Sequence, residues 1–179
     1  MAQVTGGDKL AKKLRELGKL VDRKTTLRVG FLENARYPDG TPVAMVAFIQ
    51  DSGAPRAGIP PRPFFRNMIA AKSPGWPDAL ANILKMTGYD PVKALEIFGE
   101  GVADQLVTAI TEFDGVPLSA VTLMLRKMRA DDPSLQVTGA TVGEAARRVA
   151  AGQSAAGVSD KQLVDTKFML RSVDKEVSQ

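Results

Sequence analysis

The segment from Ala54 to Pro63 restricts the fold more than any other part of the chain, because four of its ten residues, Pro55, Pro60, Pro61 and Pro63, are proline. Proline locks φ at about −65° and has no backbone N–H to donate, so so dense a run supports neither a regular helix nor a strand inside a sheet. The segment is expected to be an extended loop of preset shape, with Pro63 opening the helix that follows. It ends in Arg62-Pro63-Phe64-Phe65-Arg66, two phenyl rings between two arginines. Prolines reduce the conformational freedom lost on binding, and arginine and aromatic side chains are favoured where proteins touch. Ile59, Pro60, Arg62, Pro63, Phe64, Phe65 and Arg66 are therefore candidate subunit-interface residues. The competing expectation is that Phe64 and Phe65 are core anchors at a helix start.

Around this segment the hydrophobic pattern alternates between helix and strand. Leu10, Leu14, Leu17 and Val21 recur at helical spacing and predict an amphipathic helix over roughly Asp8 to Asp22. Thr25 to Glu33 alternates, with Leu27, Val29 and Phe31 on one side, and predicts a half-buried strand. After the turn Tyr37-Pro38-Asp39-Gly40, a short helix is expected over Val43 to Asp51, with Met45, Val46 and Ile49 inward, ended by Ser52-Gly53. The helix begun at Pro63 should break at Ser73-Pro74-Gly75-Trp76-Pro77, resume near Asp78 and stop at Thr87-Gly88. Asp90-Pro91 should start the longest helix, with Leu95, Phe98, Val102, Leu106, Ile110 and Phe113 in one stripe despite Gly99 and Gly101. Another helix is expected from Pro117 to about Ala130. Residues 131–160 are small and polar, with four glycines and one weak helical patch from Val142 to Ala151, and read as a mobile insertion. In Leu163 to Val177, Phe168, Leu170 and Ser172 alternate with Met169, Arg171 and Val173, which suggests a last strand returning to the sheet. The expected fold class is α+β in a single domain over 1–179: a small antiparallel or mixed sheet packed by several helices, a helical part over 64–130, and a flexible loop.

The chain has no cysteine and no histidine. Disulfides, thiol nucleophiles, thiolate metal sites and every hydrolase built on Ser-His-Asp or Cys-His are thereby excluded. Carboxylate chemistry and a Ser/Lys dyad survive in principle. Asp131-Asp132 before Pro133 reads as a solvated turn, too poor in oxygen ligands for Mg²⁺. Gly99-Glu100-Gly101 lies inside a helical pattern and follows no strand, so it is no phosphate loop. Ser119 has no lysine in register. The chain is expected to be a non-enzyme without cofactor, metal or small-molecule substrate. A hydrophobic content of 44% with 25% charged residues is globular composition. No stretch approaches the about 20 apolar residues of a membrane span, and no apolar run of signal-peptide type precedes Asp22. A soluble protein made in a cytoplasm, with no membrane partner, is the expectation.

Net charge is +4, and its distribution says more than its size. Residues 1–30 carry eight basic side chains against three acids, whereas residues 78–114 carry seven acids and two lysines. A self-associating ring with one basic and one acidic face could use that asymmetry. Lys9, Lys12, Lys13 and Lys19 of the first helix are candidate DNA-facing residues, attracted to phosphate by charge alone. Solvated helix faces explain them better, since no aromatic residues interleave the lysines.

The order of these parts resembles the neck and tail-completion proteins of long-tailed bacteriophages. The resemblance is carried by the strand Val29-Gly30-Phe31, the Pro-Asp-Gly turn, the helix leading into Asp51-Ser52-Gly53, and Ile59-Pro60-Pro61-Arg62-Pro63-Phe64-Phe65-Arg66. That family has an acidic residue and glycine at the first site and an Ile-Pro-x-Arg-Pro-Phe string at the second. Pro117-Leu118-Ser119, Thr122, Lys127 and then Leu163-Val164-Asp165-Thr166 continue the likeness, except that Lys167 stands where the family commonly has glycine. The resemblance covers most of residues 10–177. It implies a virion subunit that forms a ring, usually a hexamer, with the head connector and the tail tube protein as partners and DNA passing through. The alternative left by the residues alone is a basic nucleic-acid-binding accessory module, which would bind duplex as a monomer.

Overall fold

The computed structural model describes residues 7–21, 24–115, 117–161, 163 and 167–178. Helix α1, Gly7–Val21, precedes strand β1, Thr26–Phe31. Then follow α2, Val43–Ser52, a 3₁₀ turn at Pro55–Ala57, α3, Phe64–Lys72, a second 3₁₀ turn at Ser73–Gly75, and α4, Trp76–Met86. The long α5 is Pro91–Thr111, α6 is Ala120–Asp131, α7 is Gly139–Ala150, α8 is Phe168–Arg171, and β2 is Val173–Ser178. The fold is α+β, 59% helical and 10% strand.

Chain beginning and chain end meet in the sheet. β1 and β2 pair antiparallel, with Leu27 opposite Val177, Val29 opposite Lys175 and Phe31 opposite Val173. Strand alternation puts these on one side and Arg28, opposite Glu176, on the other. The first side lies on α5, where Gly99 is buried and a Cβ would come within 2.7 Å of Leu27 Cδ1. The missing side chain is what lets the sheet settle so close to the helix. On the opposite side Arg28 Nη1 lies 3.5 Å from Glu176 Oε2.

The sequence marks the ends of α5 clearly. Asp90 Oδ1 accepts from the N–H groups of Val92 and Lys93 at 3.1 and 3.2 Å, and Pro91 occupies the first turn, where its missing N–H costs nothing. Along α5, Ala94, Gly99, Val102, Leu106 and Ile110 are buried. Leu106 and Ile110 join Val43 and Ala47 of α2, Phe64 and Met68 of α3, Leu163 and Met169 in the main core. Trp76 packs edge-on against Phe98 with centroids 6.2 Å apart, and its Nε1 donates to Gln105 Oε1 at 3.0 Å.

Several segments differ from expectation for identifiable reasons. The helical patch expected at Val142 to Ala151 is the twelve-residue α7, which starts three residues earlier. Thr138 caps it, the Thr138 and Thr141 side chains capping each other's backbone, and Ala145 packs with Met124 and Met128 of α6 in a second, smaller core. α6 starts at Ala120 rather than Pro117, because Ser119 Oγ accepts from Thr122 N at 3.1 Å and makes Ser119 the cap. In α2 the buried positions are Val43, Ala47 and Asp51, while Met45 is 49% exposed. The alternation read over 168–172 is instead the single turn α8, the strand beginning at Val173. Lys167 turns the chain there with φ of 58°, and Phe168 stacks on Tyr37 at 5.0 Å.

Candidate functional site: the proline arm and its latch

Segment 54–63 is shaped from both ends. Ala54 and Ile59 pair as an isolated bridge, and the 3₁₀ turn Pro55–Ala57 lies between them, closed by Gly58 at φ of 67°. Gly53 ends α2 with φ of 77°, and a Cβ there would stand 2.8 Å from Pro61 N and 3.0 Å from Ile59 O. Only glycine lets the outgoing arm cross the end of α2 at that distance.

The acidic residue two positions earlier fastens the arm's other end. Helix α3 begins after Pro63, whose side chain makes no capping hydrogen bond. Asp51 supplies the cap from α2: its Oδ1 accepts from Phe65 N at 2.9 Å and from Arg66 N at 3.4 Å. Arg66 Nε donates to Asp51 Oδ2 at 2.7 Å, and Arg66 Nη2 donates to the Asp51 carbonyl, also at 2.7 Å. Asp51 is only 7% exposed, and these donors satisfy its buried carboxylate oxygens. Alongside, Arg62 N donates to the Gln50 carbonyl at 2.7 Å and Arg62 Nη1 to Gln50 Oε1 at 2.8 Å.

The candidate interface residues therefore separate into two groups. Phe64, 2% exposed, is a core side chain, and Arg62, 7% exposed, is buried beside α2; neither phenyl nor guanidinium stands on the outer surface of the protein. Phe65 is half-buried against the same core, and Ile59, Pro60 and Pro63 are half-buried. The outward side chains are Arg66, with Pro55, Arg56 and Pro61 of the arm itself. Lys9, Lys12 and Lys19 are exposed on α1; Lys13 belongs to that helix, but its side chain lies outside the described residues. Val164, Asp165 and Thr166 also lie outside them.

Sequence reasoning noted Asp51 and Gly53 without their roles, and missed Gln50 and the cleft beside it. A cleft of about 530 Å³ runs between the arm and α6, lined by Gln50, Ile59, Pro60 and Arg62 on one wall and Leu118, Leu125, Arg126 and Arg129 on the other. Arg62 Nε is buried there without a hydrogen-bond partner. Burial, and after it the charge of nearby Arg126, pull the Arg62 guanidinium below its ordinary value. Arg126 Nη1 donates to the carbonyls of Ser159 and Lys161 at 2.7 and 2.8 Å, which ties the segment after α7 to α6. At the cleft mouth the Asp39 carboxyl is held below the usual aspartate range, chiefly by the N–H of Thr41, which it accepts at 2.9 Å.

Among the described residues no group of three or more Asp or Glu is placed to hold a metal ion, and no helix is long and apolar enough to cross a membrane. No family model, curated protein or solved structure matches the chain.

Proposed function

We propose that the chain is a structural virion subunit that forms a ring in the neck of a long-tailed bacteriophage, completes the tail and joins it to the head connector. In this reading the protein is no enzyme, its partners are copies of itself, usually six, with connector and tail tube proteins, and it resides in the virion after assembly in the host cytoplasm. One observation carries the reading: the two sequence sites of the resemblance, separated in the chain by residues 54–58, form one hydrogen-bonded unit. Asp51 caps the helix opened by Pro63, and Gly53 gives Pro61 passage. The product of that unit is an arm, Pro55–Pro61, carried between α2 and α3, exposed at residues 55–58 and at Pro61 and half-buried at Ile59 and Pro60. Lys167 adds support, since its φ of 58° is a left-handed conformation that glycine, the family's residue at this position, adopts without strain.

The arm's outward side chains, Arg56 and Pro61, are where a neighbouring polypeptide would touch. The test replaces Arg56 by Glu and leaves the latch intact. Tails assembled without the protein are mixed with the wild type or with Arg56→Glu, and joined particles are counted by electron microscopy. The reading expects discrete oligomers of the wild type by light scattering, efficient joining, and loss of joining in a variant that remains folded. Unimpaired joining by Arg56→Glu, or a monomer that binds duplex DNA with a steep salt dependence, would count against it and for the nucleic-acid module.

A further inference from the structure

The cleft between the arm and α6 contains a cation that the protein leaves partly unsatisfied. Arg62 is 7% exposed, and among the described residues its guanidinium makes one hydrogen bond, from Nη1 to Gln50 Oε1 at 2.8 Å. Nε is buried with no acceptor, and Arg62 takes part in no ion pair among the described residues. Buried donors and buried cations are ordinarily matched by partners, and an orphan of this kind costs stability. Asp39 is the one acid among the described residues of the lining, and it accepts from Thr41 N at 2.9 Å rather than from Arg62. The two nitrogens that Gln50 leaves unused, Nε and Nη2, share one edge of the planar guanidinium. Such an edge meets the two oxygens of a carboxylate in parallel.

The walls decide what carries the oxyanion. Ile59, Pro60, Leu118, Leu125, Val137 and Leu163 line the same cleft, and its volume of about 530 Å³ falls within the span of small-ligand sites, about 300–1,000 Å³. A phosphate would bring oxygens beyond two that need donors of their own, whereas Arg126 Nη1 is committed to the carbonyls of Ser159 and Lys161. A carboxylate needs a single fork. We propose that the cleft binds a carboxylate borne on an apolar body, with the Nε and Nη2 edge of Arg62 holding its oxygens and the apolar walls its hydrocarbon. An acidic residue beside an apolar one in a peptide has that chemistry. The guanidinium must turn slightly for Nε, now closed to water, to meet the second oxygen, and the unpaired donor gains an acceptor in return. The cleft is formed by one chain alone, so this assignment stands or falls independently of the ring reading.

The probe is N-acetyl-leucyl-glutamate amide, set against its leucyl-glutamine counterpart and inorganic phosphate. Each is titrated into the full chain while the Arg62 Nε–H signal is followed by NMR. The acidic peptide should shift that signal saturably, and the glutamine peptide and phosphate should each bind about tenfold more weakly or worse. Equal binding of the two peptides, or tighter binding of phosphate, overturns the proposal, as does an Arg62 signal that does not move up to the solubility limit of the acidic peptide. Leu163 and Lys167 line the cleft and Asp165 lies between them in sequence, so Asp165→Asn is titrated alongside. A chain that takes the acidic peptide only after this change already holds its own carboxylate in the site, and the proposal fails. Arg62→Gln should abolish binding. Should that variant not fold, Val137→Asp replaces it, since Val137 is 55% exposed and lines the cleft. A carboxylate placed there should weaken binding of the acidic peptide about threefold or more with thermal unfolding unchanged. Undiminished affinity in either folded variant would put the peptide elsewhere and refute the assignment.

Discussion

Replacing Asp51 by Ala tests whether the latch is mainly a helix cap or mainly an ion pair. The substitution leaves the N–H groups of Phe65 and Arg66 without their acceptor at the start of α3. Loss of a cap costs about 1 kcal/mol, and leaving a partly buried donor unpaired adds about 1 kcal/mol more. The ion pair itself contributes less, because the Arg66 side chain is 60% exposed and regains water when released. For such a pair the contribution is under about 1 kcal/mol. Asp51→Ala should therefore lower stability by about 2–3 kcal/mol, whereas Arg66→Ala should cost no more than about 1 kcal/mol. Asp51→Asn keeps an oxygen for Phe65 N and should fall between the two. Urea denaturation of the four proteins reads these differences as shifts in midpoint at constant slope. The double variant completes a cycle whose coupling should be well below the whole cost of Asp51→Ala. If Arg66→Ala costs as much as Asp51→Ala, or if Asp51→Ala costs under about 0.5 kcal/mol, the capping argument is refuted.

The other expectations follow from packing, backbone geometry and charge. Gly53→Ala drives a Cβ to 2.8 Å from backbone at a φ of 77° and should cost more than about 2 kcal/mol, while Gly101→Ala, with nothing within 4 Å inside α5, should stabilise by up to about 1 kcal/mol in thermal unfolding. Phe64→Ala removes a core ring and should cost about 3–5 kcal/mol, whereas Arg56→Glu on the arm should stay within about 0.5 kcal/mol of wild type in the same assay. Met128→Ala should raise amide hydrogen exchange in α6 and α7 while leaving α5 protected; uniform loss of protection would show one cooperative unit instead. The Glu144 carboxyl, held below the ordinary glutamate range first by its hydrogen bond from Arg148 and then by the charge of Arg147, should supply its small support to α7 in full above that range and lose it as pH falls through the lowered value. An NMR titration that puts Glu144 at or above the ordinary value would contradict this.

What could be read from the sequence was whatever local rules decide. Asp90-Pro91, Ser73-Pro74-Gly75 and Ser52-Gly53 each carry their boundary in the backbone chemistry of a few residues; α5 begins at the first, and α3 and α2 end at the other two. The limits of α7 were harder to see because its apolar side is so sparse: Ala145 is buried by α6, and a small residue announces no core until its partners Met124 and Met128 are known. Likewise the sequence marks Phe64 as aromatic beside proline but does not say which way it turns; that depends on Asp51, thirteen positions earlier, drawing the start of α3 against α2. Gly99 is unfavourable inside a helix by propensity alone, and its reason is Leu27, packed where a Cβ would stand. In each case the missing information was a partner distant in the chain.

The same latch has a consequence for any partner the arm meets. A free loop would lose about 1–2 kcal/mol of backbone entropy per residue on being fixed by a partner, so an arm of seven residues, Pro55–Pro61, would need a large favourable contact merely to recover that loss. Here the loss is met during folding: prolines limit φ, Gly53 admits a crossing that no other residue would, and Asp51 closes the far end. What remains for association is a small preshaped surface, and preorganisation of this kind strengthens binding without adding area. Under the ring reading that surface repeats in every subunit, so a modest contact suffices for each copy. Weakening the latch should then impair joining more than it impairs folding, with Asp51→Asn, still folded at working temperature, the variant in which the two effects separate.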